Sequence, residues 1–131
     1  MIFLDSSYFK GLLYPKDPYH DDALNIKDFL NRSNELTVLN TTVLVETLNW
    51  SVKANIFANL IYGQIKSNNM IISLTREDYI KSLEINCWFG NSINYSDCTI
   101  VNTMLDMEID KIVTFDDDFK KIDGFNIISE V

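Results

Sequence analysis

Apolar residues recur along this chain in two rhythms. Short continuous runs, in "IFL" (residues 2–4), "ELTVLNTT", "MIISLT", "KIVTF" and "FNIIS", are rich in β-branched residues and read as brief strands. Between them the apolar positions take helical spacing. Phe9, Leu12 and Leu13 share one face. Ala23, Ile26, Phe29 and Leu30 make "DPYHDDALNIKDFLNRS" an amphipathic helix that opens with acids and a proline. Val45, Leu48, Val52, Ile56, Leu60 and Ile61 carry one long helix from Val43 to about Ser67. Thr75 with Asp78 forms a capping box for "REDYIKSLEINCWFG", which Gly90 closes. In "NYSDCTIVNTMLDMEID", Ser96 reads as the N-cap, Asp97 falls in the first turn, and Val101, Met104, Leu105 and Glu108 continue at helical intervals.

Strands alternating with helices predict an α/β fold: a central, mostly parallel sheet of about five strands, helices on both faces, right-handed crossovers. The length of 131 residues suits one domain over residues 1–131. In such folds ligands bind outside the carboxyl ends of the strands, where the strand order switches. Asp5 and Asp116 each follow a predicted strand.

Composition narrows the function. No apolar run approaches the roughly 20 residues that cross a bilayer, and the amino terminus lacks a signal-peptide pattern, so a cytoplasmic protein with no membrane partner is expected. Cys87 and Cys98 have no metal-ligand spacing, and the single His20 cannot complete a zinc set, so both read as reduced thiols. The formal charge of −8, from 19 acidic against 11 basic residues, argues against a broad basic surface that grips nucleic acid through phosphates alone.

Yet acids accumulate where a buried strand ends, in "IVTFDDDF". Like charges gathered in one crevice disfavour one another, and a divalent cation reverses that penalty. Asp5, Asp97 and Asp116 can converge on one crevice, and Glu46, in "TTVLVETLNW" with apolar Val45 and Leu48 beside it, is a fourth candidate. An acid cluster of this kind suits oxygen-ligated Mg²⁺ or Mn²⁺.

The motifs "FLDSSYF", "VLVETL", "NYSDCTIV" and "IVTFDDDF", in this order and over essentially the whole length, resemble the PIN-domain ribonucleases and among them the small VapC-type toxins of toxin–antitoxin pairs. The resemblance implies a PIN-like nuclease domain over residues 1–131 and a metal-dependent endoribonuclease. In it Asp5, Glu46, Asp97 and Asp116 would hold Mg²⁺ or Mn²⁺, and Asp118 would help bind a second ion. Ser7 and Thr114, matching the family's small hydroxyl positions, would orient the acids by hydrogen bonds. It also implies an RNA substrate and an antitoxin partner, and it admits a homodimer.

Plainer readings stand beside this one. Asp5 could cap the first helix, Asp97 could serve the helix dipole, and Glu46 could face solvent. Asp17, His20, Asp21 and Asp22 read as a helix start, and Asp117 as solvent-facing. Trp50, Phe57, Tyr62, Trp88 and Phe89 read as core or partner surface before base-stacking platforms. Two other functions fit an acidic α/β domain: a catalytically inactive PIN-fold scaffold that only binds partners, and a phospho-receiver module. The receiver needs an aspartate after its third strand, where "SLT" offers none, and a haloacid-dehalogenase-type phosphatase needs one where Ser7 stands.

Overall fold

The strands of the central sheet are short and mostly apolar, and the three in the middle are largely buried, as parallel strands covered from two sides must be. A computed structural model describes residues 1–131. The elements follow in the order β1 (Ile2–Leu4), α1 (Ser6–Leu13), α2 (His20–Ser33), β2 (Thr37–Asn40), α3 (Thr41–Lys53), α4 (Ala58–Asn68), β3 (Met70–Ile72), α5 (Arg76–Trp88), α6 (Tyr95–Asp106), β4 (Lys111–Val113), a 3-10 turn (Asp117–Lys121) and β5 (Asn126–Ile128). The five strands lie in the order β3-β2-β1-β4-β5, and all pairs are parallel.

The chain steps from β1 to β2 to β3 in one direction and then returns across the sheet to β4. With right-handed crossovers, that reversal puts α5 and α6 on the face opposite α1 to α4 and leaves the switch point between β1 and β4. Ile2, Phe3 and Leu4 of β1 are buried, and Val38, Leu39, Ile112 and Val113 flank them. Ala23 and Ile26 of α2, Ile61 and Ile65 of α4, and Ile100, Val101 and Met104 of α6 complete the core. The order also removes the receiver reading, because doubly wound receivers run 2-1-3-4-5.

The expected α/β architecture is present, with three local corrections. The long helix from Val43 to Ser67 is two helices. Asn55 adopts φ 59° after α3, its N–H reaches Val52 O at 3.1 Å, and the Ile56 N–H reaches Ser51 O at 2.8 Å. This is a Schellman closure, made by an asparagine that tolerates the left-handed region. The apolar rhythm carried across the break because α4 resumes the same spacing. That rhythm also misassigned the buried face: α3 buries Val43, Thr47 and Ser51, whereas Val45, Val52 and, on α4, Leu60 are exposed.

The α6 boundaries shift as well. Asn94, not Ser96, is the N-cap, its side chain accepting from the Asp97 N–H at 2.9 Å. Glu108 lies beyond the helix at φ 55°, where Ile109 N–H to Met104 O at 2.8 Å closes the end in the same manner as at Asn55. The capping box of Thr75 and Asp78 forms as expected, and Gly90 ends α5 at φ 59°.

Candidate functional site

Asp5 stands at the carboxyl end of β1 and is also the N-cap of α1, so the capping and crevice positions are one position. Its Oδ1 accepts from the Ser6 N–H at 2.7 Å. Its Oδ2 accepts from Thr114 Oγ1 at 2.7 Å and Ser7 Oγ at 3.0 Å. Thr114, the first residue past β4, accepts in turn from the Asp116 N–H at 3.0 Å, and Ser7 Oγ accepts from the Phe115 N–H at 3.0 Å. Two hydroxyls thus lock the end of β1 to the chain leaving β4. The same lock aims the aspartate-rich turn at the crevice.

Asp116 then caps the 3-10 turn, accepting from the Asp118 N–H at 2.9 Å. Phe119, fully buried, pins that turn to the core. Asp118 pairs with Lys121 at 2.9 Å, and Asp117, exposed, pairs with Lys120 at 2.8 Å. Asp97 enters from the first turn of α6 and is buried. One carboxylate oxygen each from Asp97, Asp116 and Asp118 lies within 4.8 Å of the others. Asp5 and Glu46 lie outside this tight trio but act on it.

Glu46 sits in the second turn of α3, half-buried. Its approach depends on residues that the apolar pattern does not reveal. Asn40, at the end of β2, caps α3 by accepting from the Val43 N–H and donates through Nδ2 to Thr103 Oγ1 at 3.0 Å and Thr99 O at 3.3 Å. Thr42 and Thr99 hydroxyls meet at 2.9 Å. These bonds fasten the start of α3 to α6, which brings Glu46 toward Asp97. Their only trace in the sequence is polar residues at positions of a helix that should be apolar.

The electrostatics record how closely the acids gather. Burial pushes the Asp97 carboxyl up to about 8, with the charges of Asp5, Asp116, Glu46 and Asp118 adding to the shift. Burial raises Asp5 too, against the lowering effect of its three hydrogen bonds and with a further rise from Asp116. Glu46 is raised by burial and by Asp5, while Lys10 on α1 opposes the shift. Lys10 is a cation within reach of the crevice that makes no ion pair, and the sequence offered no reason to single it out.

Glu46 Oε1, Asp97 Oδ2 and the neighbouring Thr47 Oγ1 are buried with no hydrogen-bond partner. Unpaired carboxylate oxygens away from water are costly, and an all-oxygen donor set is what Mg²⁺ or Mn²⁺ takes. The residues therefore fit a divalent cation. His20, by contrast, is spent on a local contact, Nδ1 to Gly11 O at 2.8 Å. Lys120 and Lys121 make surface pairs with Asp117 and Asp118 within the same turn, and Lys53 and Lys66 have no carboxylate partner.

The PIN domain family model matches residues 2–125. Among solved structures, the Mycobacterium tuberculosis toxin VapC20, described as cleaving the sarcin-ricin loop, superposes with a TM-score of 0.79 at 21% identity, over 96% of this chain and 97% of that one. A toxin–antitoxin complex from Klebsiella pneumoniae gives 0.75 at 15% identity over 100% of both chains. VapBC2 of Rickettsia felis, bound to a DNA fragment from its promoter, gives 0.73 at 17% identity over 97% of both. No curated protein sequence matches significantly.

Proposed function

The chain belongs to the PIN-domain family, and from that premise we propose that it is a metal-dependent endoribonuclease, the toxin of a toxin–antitoxin pair, with its nuclease domain spanning residues 1–131. The observation that carries the reading is the convergence of Asp97, Asp116 and Asp118 within 4.8 Å beside Asp5 and Glu46, with two carboxylate oxygens buried and unpartnered.

In this reading Asp5, Glu46, Asp97 and Asp116 hold Mg²⁺ or Mn²⁺, and Asp118 contributes to a second position. Bound there, a divalent ion supplies Lewis-acid polarisation of the scissile phosphate and eases ionisation of the attacking water. The chain's own work is positional. Ser7 and Thr114 fix Asp5 through hydrogen bonds to Oδ2, and Thr114 fixes Asp116 through its amide. Asn94 holds the Asp97 amide, so that carboxylate projects from a rigid helix start. Lys10, unpaired beside Glu46, is the side chain best placed to meet a phosphate oxygen.

A partner is proposed on three grounds. The similar structures include toxin–antitoxin complexes. A cleft of about 550 Å³ between α1, α2 and α4, lined by Leu12, Leu13, Leu30 and Ile61 together with polar Asn31 and Gln64 among others, includes none of the five acids and offers a mixed apolar and polar seat for an antitoxin segment. The net charge of −8 suits a partner with a basic domain. The outer face of α5, where Ile80, Leu83 and Trp88 are exposed, is where a homodimer contact would lie in this reading.

The test is RNA cleavage with Mn²⁺, with EDTA, and by Asp97→Asn. Cleavage by the wild type that is lost in EDTA and reduced about 100-fold or more in the variant, with the variant still unfolding in one cooperative transition, supports the site. Cleavage undiminished in Asp97→Asn rejects it. A folded wild type inert toward RNA in Mn²⁺ favours the partner-binding scaffold.

A further inference from the structure

Beside the acids lies an aromatic pair that the nuclease reading does not use. Phe115 occupies the position between Thr114, which bonds Asp5, and Asp116, so its backbone is part of the crevice wall. Its ring leans toward α1 at Gly11, where an added Cβ would come within 3.3 Å of Phe115 Cε2. Tyr19 stacks on it with ring centroids 4.5 Å apart and planes only 5° from parallel. Parallel planes at that separation are the offset stack that aromatic pairs favour. Here Tyr19 remains 46% exposed although one face is covered, and the ring it stacks on belongs to the residue before Asp116.

The backbone that carries the ring is held in place, and the ring itself by its stack on Phe115. The Tyr19 N–H donates to Asp17 Oδ1 at 2.8 Å, and its carbonyl accepts from the Ala23 N–H at 2.8 Å as α2 begins. His20, the next residue, is fastened to Gly11 O. Lys120, anchored by Asp117 at 2.8 Å, lies within electrostatic reach of the Tyr19 hydroxyl. A fixed aromatic face and a nearby ammonium are parts that single-stranded nucleic-acid binders combine, and the acid crevice begins at Asp116, one residue from Phe115.

We propose that Tyr19, backed by Phe115, is the stacking platform for an unpaired RNA base adjoining the scissile phosphate. The inference rests on the ribonuclease reading and deepens it: the substrate would be single-stranded or a loop at the cut, because a base inside a duplex has no free face to offer. Stacking contributes through ring area and not through a particular hydrogen bond, so any base is accepted there. Tyr19 is then a positioning residue, and its loss should act on substrate binding more than on the chemical step.

The experiment compares wild type, Tyr19→Phe and Tyr19→Leu on a mixed-sequence single-stranded RNA of about twelve nucleotides, with cleavage followed in Mn²⁺ and binding followed by fluorescence anisotropy in the Asp97→Asn background. Tyr19→Leu should raise KM and Kd at least about fivefold with kcat changed less than about twofold, whereas Tyr19→Phe should match the wild type. An abasic nucleotide walked through the substrate should weaken wild-type binding at one position beside the cut, and at that position Tyr19→Leu should add no further loss. Tyr19→Leu binding and cleaving like the wild type overturns the platform. Should Tyr19→Leu fail to fold, the abasic series on the wild type decides alone, and equal effects at every position overturn it. A wild type that neither binds nor cleaves RNA rejects the ribonuclease reading itself, an outcome distinct from cleavage that is indifferent to Tyr19.

Discussion

The crevice at the strand ends and the outer face of α5 depart from ordinary burial in opposite directions. In the crevice, Asp5 and Asp97 are removed from solvent. On α5, only Ser82 is buried, while Ile80, Leu83 and Trp88 stand exposed, Trp88 by 85%. The two cost the chain very different amounts. A buried unpaired charge is expensive by several kcal/mol even after relaxation, so the crevice exists only with a supporting frame of Ser7, Thr114, Asn94 and Asn40. An exposed apolar face is nearly neutral for a monomer and needs no frame. A costly site therefore states its ligand class through the groups that support it, whereas a cheap one states only that something apolar can cover it.

If the crevice is built into the core, its largest dependence should be on Phe119, the fully buried ring under the aspartate-rich turn. Phe119→Ala should lower stability by about 3–5 kcal/mol in urea denaturation. A loss below about 1 kcal/mol would mean that the turn bearing Asp116 and Asp118 is an appendage and the contrast with α5 is overstated. Thr114→Val comes next. It removes the 2.7 Å donor to Asp5 and leaves the Asp116 amide without its acceptor, with an expected cost of about 2 kcal/mol.

The acids themselves should act in the other direction. Asp97 holds its proton up to about pH 8 in the folded chain, through burial first and then the neighbouring acids, against about 3.9 when unfolded. Between those values the native state keeps a proton that the unfolded state has released. The stabilising contribution is thus full below about pH 4 and is lost as the pH rises to about 8. Asp97→Asn should match the wild type near pH 4 and exceed it by roughly 1–2 kcal/mol at pH 8 without metal. Saturating Mn²⁺ should reverse the order, because only the wild type retains the full ligand set. Thermal melts across pH, with and without Mn²⁺, check both halves.

The same asymmetry explains what was legible in the sequence. The alternation of strand and helix, the five-strand sheet and the acids following β1 and β4 could be read because a parallel sheet demands apolar runs and buried acids are conspicuous among them. The break at Asn55 was not legible, since α4 continues the apolar spacing of α3 and the closure depends on one backbone dihedral. Nor was the buried face of α3, where Thr47 and Ser51 replace apolar residues. Asn40, Thr42, Thr99 and Thr103 carry no signal for a related reason: hydrogen bonds between elements leave no period in a sequence. Lys10 and Tyr19 gain meaning only from where the fold puts them.

The smallest expected effect belongs to α5 and is the sharpest check on the comparison. Leu83 and Trp88 line a shallow apolar hollow with Ile80, Glu84 and Cys87, and nothing in the chain packs over it. Replacing either Leu83 or Trp88 with serine removes surface that is already wet, so the stability of the dilute protein should change by less than about 0.5 kcal/mol. The serine variants should also show a lower tendency to self-associate in sedimentation as concentration rises, because the face they erase is the apolar surface that a second copy would cover. A loss above about 1 kcal/mol in dilute solution would mean that α5 contributes to the fold as the crevice does, and the division between a costly, framed site and a cheap, unframed one would fail at the region where it is easiest to measure.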